Sequence, residues 1–238
     1  MIEIKKGEEP EALARLRNRA AEEGLNPKEA YELLNKRSKL KNRIRNALVR
    51  EQGGLCAYCM CRIPRSDVEE NIAPIVIEHV IPRNPEDGRD VGQGLDYYNL
   101  LAVCHGNRGS EGTRRYQDLV CDAHRKNIEL KKVNPCRPET LASIYYGLDG
   151  KIHASDEDVK KDLIETLNLN CPAAPVLAER KAVLDGLLEE MGTIDETDLA
   201  DYCRIRLEAF NRETNPKTPY VGILIWYLHS MLDGLTDT

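Results

Sequence analysis

The sequence predicts an α+β protein, a mainly helical chain built around a small metal-stapled core. Three observations predict this. Six of the eight cysteines fall between Cys56 and Cys136, the stretch that contains them is broken into short segments with one β-branched run, and the sequence on either side repeats its apolar residues at helical spacing. The 238 residues suffice for one sizeable domain or two small ones, and divide by character into basic helices over 1–53, a cysteine-rich core over 54–137 and a helical region over 138–238.

Over 1–53, Pro10 opens a run with Leu13, Leu16 and Ala20 on one face, and Asn26-Pro27 pairs a cap with a first-turn proline. A second helix is expected from there to Gly53-Gly54, with Tyr31, Leu34, Leu40, Ile44, Ala47 and Leu48 on its apolar side. Its later half, 36–50, carries seven basic residues and no acid, which suits either a solvated face or contact with phosphates. Lys39 and Arg43 are the candidates there.

In the core, Leu55–Ile63 is expected to form a hairpin around a metal knuckle. Ile75–Ile81, β-branched and closed by Pro82, is a strand by composition, and Gly88, Gly92 and Gly94 mark a loop. From Ser155 the pattern is helical again, with a run stopped near Cys171-Pro172 and further helices over 176–191, 196–212 and 219–232. The last is too short to span a bilayer, and is expected either to close the core or to bind a partner through Ile223, Trp226 and Tyr227.

Composition limits the function. With 41% hydrophobic and 31% charged residues, neither a disordered chain nor a fibre is expected. With no apolar run of ~18 residues and no leader at Met1, a soluble, cytoplasmic protein is expected. The net charge of −6 argues against an obligate nucleic-acid binder, but it is uneven. Residues 1–65 carry 15 basic and 9 acidic side chains, whereas 151–238 carry 9 and 17.

In a reducing compartment, clustered cysteines favour metal thiolates over disulfides. Cys56-Ala57-Tyr58-Cys59 is a two-residue knuckle able to present both thiolates to one tetrahedral Zn²⁺, and Cys104 and Cys121 are the natural partners. Cys61, His105 and His124 are rival ligands that spacing does not separate from these. Four protein ligands leave no open position, so this zinc is structural.

A second cluster comprises Glu78-His79, Asn99 and Asn107. Neighbours on a strand point to opposite faces, which sets a carboxylate and an imidazole on either side of one backbone. The string Glu-His-Val-Ile-Pro at 78–82, Asn-Leu-Leu at 99–101 and Cys-x-x-Asn-Arg-Gly at 104–109 resembles the HNH nuclease motif, the ββα-metal finger, also found in RNA-guided CRISPR nucleases. With Leu-Cys-Ala-Tyr-Cys-Met at 55–60, Cys-Asp-x-x-Arg-Lys at 121–126 and Leu-Asn-Leu-Asn at 167–170, most of the chain resembles the PtuB family, the HNH effectors of Septu and certain retron anti-phage systems.

The resemblance implies a metal-dependent endonuclease that leaves 5′-phosphate and 3′-hydroxyl ends on DNA or on an RNA such as tRNA. It implies His79 as general base, Glu78 and Asn107 as ligands of one Mg²⁺ or Mn²⁺, and Asn99 orienting the His79 backbone. Glu78 stands where many relatives have Asp, and Asn107 where common zinc-bearing relatives have a cysteine, so Cys121 supplies the fourth thiolate and Asp122 competes with Asn107 as second ligand. It further implies a PtuA-like ABC-type ATPase as partner and, in retron systems, a reverse transcriptase with its RNA–DNA product. Arg108, Arg114, Arg115, Arg125 and Lys126 are candidates for clamping phosphates. The rival expectation is a zinc-stapled module that binds nucleic acid or protein and cuts nothing, because zinc folding by itself requires none of Glu78, His79, Asn99 and Asn107.

Overall fold

The computed structural model describes residues 1–64, 75–85, 87, 88, 94–109 and 115–236; about half of the chain is helical, and two small antiparallel sheets are present. Arg114 and Gly92 lie outside the described residues.

Helix α1 (Glu11–Glu22) buries Leu13, Leu16 and Ala20. Helix α2 (Pro27–Asn35) begins at a capping box: the Asn26 side chain accepts from the Glu29 N–H and the Glu29 carboxylate accepts from the Asn26 N–H, each at 3.0 Å. The single helix expected from Pro27 to Gly53 is divided at Lys36-Arg37, where Arg37 leaves helical geometry (φ −118°, ψ 70°) before α3 (Ser38–Glu51). The break lets both halves reach the core, α2 with Tyr31 and Leu34, α3 with Ile44, Leu48 and Val49; a straight helix would carry one set away from it.

The expected hairpin at 55–63 is reduced to one bridge, Leu55 to Arg62, around a tight turn. Strand β1 (Val76–His79) pairs antiparallel with β2 (Leu100–Val103), with Val76 opposite Val103 and His79 opposite Leu100. Every residue of β2 is buried. Its outer edge is satisfied by Gln52, which donates to Ala102 O at 2.7 Å and accepts from Ala102 N at 2.8 Å, and by Ala57 N at 3.1 Å. Helix α4 (Cys121–Arg125) then packs on the C-terminal segment, the Cys121 N–H bonding Leu167 O at 2.8 Å.

A hairpin not foreseen from the sequence follows, β3 (Ile144–Tyr146) against β4 (Ile152–Ala154). Helix α5 (Glu157–Lys161) runs into a π-turn over Asp162–Thr166, and the chain ends in α6 (Pro175–Met191), α7 (Leu199–Arg212) and α8 (Val221–Thr236). Helix α8 packs against α6, α7 and β3; Ile223 is wholly buried, and the Trp226 ring sits 6.0 Å from Tyr146. The helix closes the protein's own core, so Ile223 is not available as a docking anchor. One apolar cluster runs from Met1 to Leu228 and joins all three stretches. Among the described residues no helix is long and apolar enough to cross a membrane.

Candidate metal centre and hydrolytic site

Four cysteines from three segments meet in the core. Cys56 and Cys59 come from the turn, Cys104 follows β2, and Cys121 opens α4; their sulfurs all lie within 4.8 Å of one another. The Sγ atoms of Cys56 and Cys121 are 4.0 Å apart and those of Cys59 and Cys104 3.8 Å. A regular tetrahedron of thiolates with metal–sulfur bonds of ~2.3 Å has an edge of ~3.8 Å, so the set fits a metal ion without rearrangement and is too widely spaced for disulfides. The Cys104 N–H donates to Cys56 Sγ at 3.3 Å, and hydrogen bonding from Cys121 pulls the Cys104 thiol down to about 6, toward the thiolate a cation requires. Gly106 permits the closure: at φ +62° a Cβ there would lie 2.3 Å from Val120 O, next to Cys121.

Cys61, His105 and His124 are not in the set. The His124 ring stacks on Tyr116 and its Nδ1 is 3.0 Å from Thr166 O.

Glu78 and His79 point away from each other. Glu78 is buried toward α4, where Arg125 Nη1 donates to its Oε1 at 2.5 Å. Arg125, wholly buried, also donates to the Tyr58 hydroxyl (2.8 Å) and to the backbone oxygens of His79 (3.1 Å), Val80 (2.6 Å) and Ile128 (2.7 Å). It therefore braces the strand and cannot clamp a phosphate, contrary to expectation. Burial pushes the Glu78 carboxyl up to about 8 against the pull of Arg125, and the neighbouring Asp122 carboxyl adds to the rise by its charge and a shared hydrogen bond. Two carboxyls side by side, Glu78 from β1 and Asp122 from α4, repel unless a proton or a cation lies between them.

Asn107 is placed differently. It adopts φ +63°, and its amide nitrogen donates to the carbonyls of Asp118 (2.8 Å) and Ala173 (3.3 Å), tying the loop after β2 to the C-terminal segment. Asp122, not Asn107, is the side chain whose carboxyl stands beside Glu78.

On the other face of β1, His79 Nε2 is 3.1 Å from Gly94 O. A carbonyl only accepts, so Nε2 carries the proton and Nδ1 keeps its lone pair. Burial pushes the imidazole down to about 3, with the Gly94 bond opposing and the charges of Arg83 and Arg125 assisting, so the ring is neutral. Tyr31 of α2 meets it edge-on at 5.0 Å. The loop reaches this position because residue 94 is glycine: a Cβ there would lie 2.2 Å from Pro27 O.

Asn99 is buried and clamps the end of β1, but not at His79. Its Oδ1 accepts from Ile81 N at 2.8 Å, its Nδ2 donates to Ile81 O at 3.0 Å, and its backbone oxygen accepts from Val80 N at 2.9 Å. The register explains the offset: Leu100 pairs with His79, which sets Asn99 beside Val80 and Ile81.

The basic candidates are scattered. Lys39 and Arg43 line an open groove of about 730 Å³ between α1 and α3, together with Arg15, Arg19, Lys36 and Arg37. Arg108 comes within 3.8 Å of Asp122, Arg115 pairs with Asp118 at 3.1 Å, and Lys126 lies over the Tyr116 ring at 4.3 Å. Tyr58, the polar partner of Glu78 and Arg125, was hidden inside the knuckle, where an aromatic reads as packing.

No protein-family model matches the chain, and no curated protein matches it.

Proposed function

We propose that the protein is a metal-dependent endonuclease of the HNH type, with a structural zinc at Cys56, Cys59, Cys104 and Cys121 and a hydrolytic site built on β1 and α4. The observation that carries this reading is that one strand presents the His79 imidazole, held through Nε2 by Gly94 O, on one face and Glu78, gathered with Asp122, on the other.

In this reading His79 Nδ1 takes a proton from water, the resulting hydroxide attacks phosphorus, the bond to the 3′-oxygen breaks and that oxygen takes a proton from solvent water, leaving a 5′-phosphate and a 3′-hydroxyl. Glu78 and Asp122 would hold Mg²⁺ or Mn²⁺, which would supply neutralisation of the negative charge that develops on the phosphodiester. Gly94 holds the imidazole tautomer, and Arg125 with Asn99 holds the backbone from the His79 carbonyl through Ile81. A buried imidazole gains basicity when a phosphate's negative charge comes alongside. The resemblance to the PtuB family extends the proposal to an anti-phage effector acting in the cytoplasm with a PtuA-like ABC-type ATPase and, in retron systems, a reverse transcriptase and its RNA–DNA product.

The Glu78–Arg125 ion pair favours a second reading, a zinc-stapled binding module in which Glu78 is structural. Cleavage of plasmid DNA and of total tRNA with Mg²⁺ or Mn²⁺ separates the two. The nuclease reading expects His79→Ala to abolish cleavage and Asp122→Asn to raise the metal requirement. A folded His79→Ala protein that cuts as fast as the wild type leaves only the binding module.

A further inference from the structure

Two cations lie over one aromatic ring beside His79, and a third stands next to them on α3. The Arg83 guanidinium carbon is 4.0 Å from the centroid of Tyr31 and Lys41 Nζ is 5.7 Å from it. Arg45 lies one helical turn beyond Lys41 on the same face of α3. The Tyr31 ring itself meets His79 at 5.0 Å. Lys41 bonds the neutral Asn35 side chain at 2.7 Å, and Arg45 Nη1 reaches Asn42 Oδ1 at 3.4 Å, leaving its Nε buried without a hydrogen-bond partner.

Among the described residues none of the three forms an ion pair with an acid. Glu32 is the nearby acid that acts on both Tyr31 and Lys41, and it accepts from Asn35 at 3.1 Å instead. Burial, then the charges of Arg45 and Arg83, pushes the Lys41 ammonium below its usual value. Half-buried like charges grouped without an ion-paired acid disfavour one another, and a bound anion relieves that cost. The α1–α3 groove differs, because Arg15 and Arg19 there already pair with Glu11 and Glu23.

We infer that Lys41, Arg45 and Arg83, gathered around Tyr31, form a cradle for a phosphodiester group of the nucleic-acid backbone and seat the strand against His79. This rests on the nuclease reading of His79 and adds to it the face from which substrate enters, across α2 and α3. A phosphate suits the group because an ester phosphate offers two non-bridging oxygens to share between separate donors, and Lys41 and Arg83 both reach the Tyr31 ring.

The test is fluorescence anisotropy with labelled single-stranded DNA, duplex DNA and tRNA, comparing the wild type with K41Q/R45Q/R83Q and with the charge-conserving K41R/R45K/R83K. The neutral triple variant is expected to bind at least about tenfold more weakly at ~50 mM salt, with its log–log salt slope shallower by about two to three, and the conserving variant to retain most of the affinity. Should the triple variant not fold, R83Q alone is expected to weaken binding by about threefold or more, since Arg83 is half-exposed on a loop. Unchanged affinity and slope in the folded neutral variant overturn the cradle, as does a wild-type chain that binds none of the three probes. Cleavage by His79→Ala at the wild-type rate instead removes the nuclease reading, and leaves the binding result standing by itself.

Discussion

Arg125 and Glu78 form a buried ion pair at 2.5 Å in which the same guanidinium also holds the backbone oxygens of His79 and Val80. The carboxylate and the strand that presents it are thus braced by one side chain. Arg125→Met is expected to cost about 3–5 kcal/mol, because it leaves a buried carboxyl and three carbonyls without their donor. Glu78→Gln/Arg125→Met should cost less than the sum of its parts. Denaturant unfolding of the two single variants and the double checks this, and additive losses would mean that the pair is not the unit of stability.

About one zinc per chain is expected by elemental analysis, lost in Cys56→Ser and Cys121→Ser and kept in Cys61→Ser, since the first two lie in the four-sulfur set and Cys61 does not. Chelation should lower the melting temperature by more than about 10 °C, because the set ties the turn, β2 and α4 together. Full zinc in Cys121→Ser would move the site elsewhere.

The pH dependence follows from His79. Its pKa in the fold is pushed down to about 3 by burial, while the unfolded chain titrates near 6.5. Between those values the unfolded state binds the proton and the folded state does not. The contribution is therefore complete above pH 6.5 and is lost as pH falls toward 3, amounting to about 2 kcal/mol at pH ~5. His79→Gln should show a correspondingly flatter decline in unfolding free energy between neutral pH and pH ~5. An identical decline in both proteins would show that the imidazole is not held neutral.

Asn99→Ala is expected to destabilise the protein by about 2 kcal/mol, since Ile81 N and O lose their partners, and to lower the cleavage rate more than substrate affinity, since the end of β1 is then free to shift. Asn107→Ala should cost stability through the Asp118 and Ala173 carbonyls without altering the Mg²⁺ or Mn²⁺ requirement. A raised metal requirement in Asn107→Ala would restore it as a ligand. Metal titrations of cleavage alongside melting curves separate the two effects.

The features legible in the sequence are those whose physical cause lies within a few residues. Asn26-Pro27 announced the start of α2, the two-residue spacing of Cys56 and Cys59 announced a knuckle, Ile75–Ile81 announced β1, and apolar periodicity placed α6 to within a residue at each end. The β3–β4 hairpin is also written locally, in Ile144-Tyr145-Tyr146 and Ile152 flanking Asp149-Gly150. Elsewhere the sequence offered several residues of one type, and local rules do not rank them. Whether Cys61 or Cys121 completes the sulfur set depends on α4 closing back over the turn, at a separation of 65 residues from Cys56. Whether Asp122 or Asn107 stands beside Glu78 depends on how the loop after β2 turns at Gly106, and whether Arg125 meets solvent or a carboxylate depends on which face of α4 the strand covers. Those outcomes were decided by the tertiary structure, because convergence of distant side chains is set by loop closure and by the burial of one shared core, and neither leaves a period in the sequence.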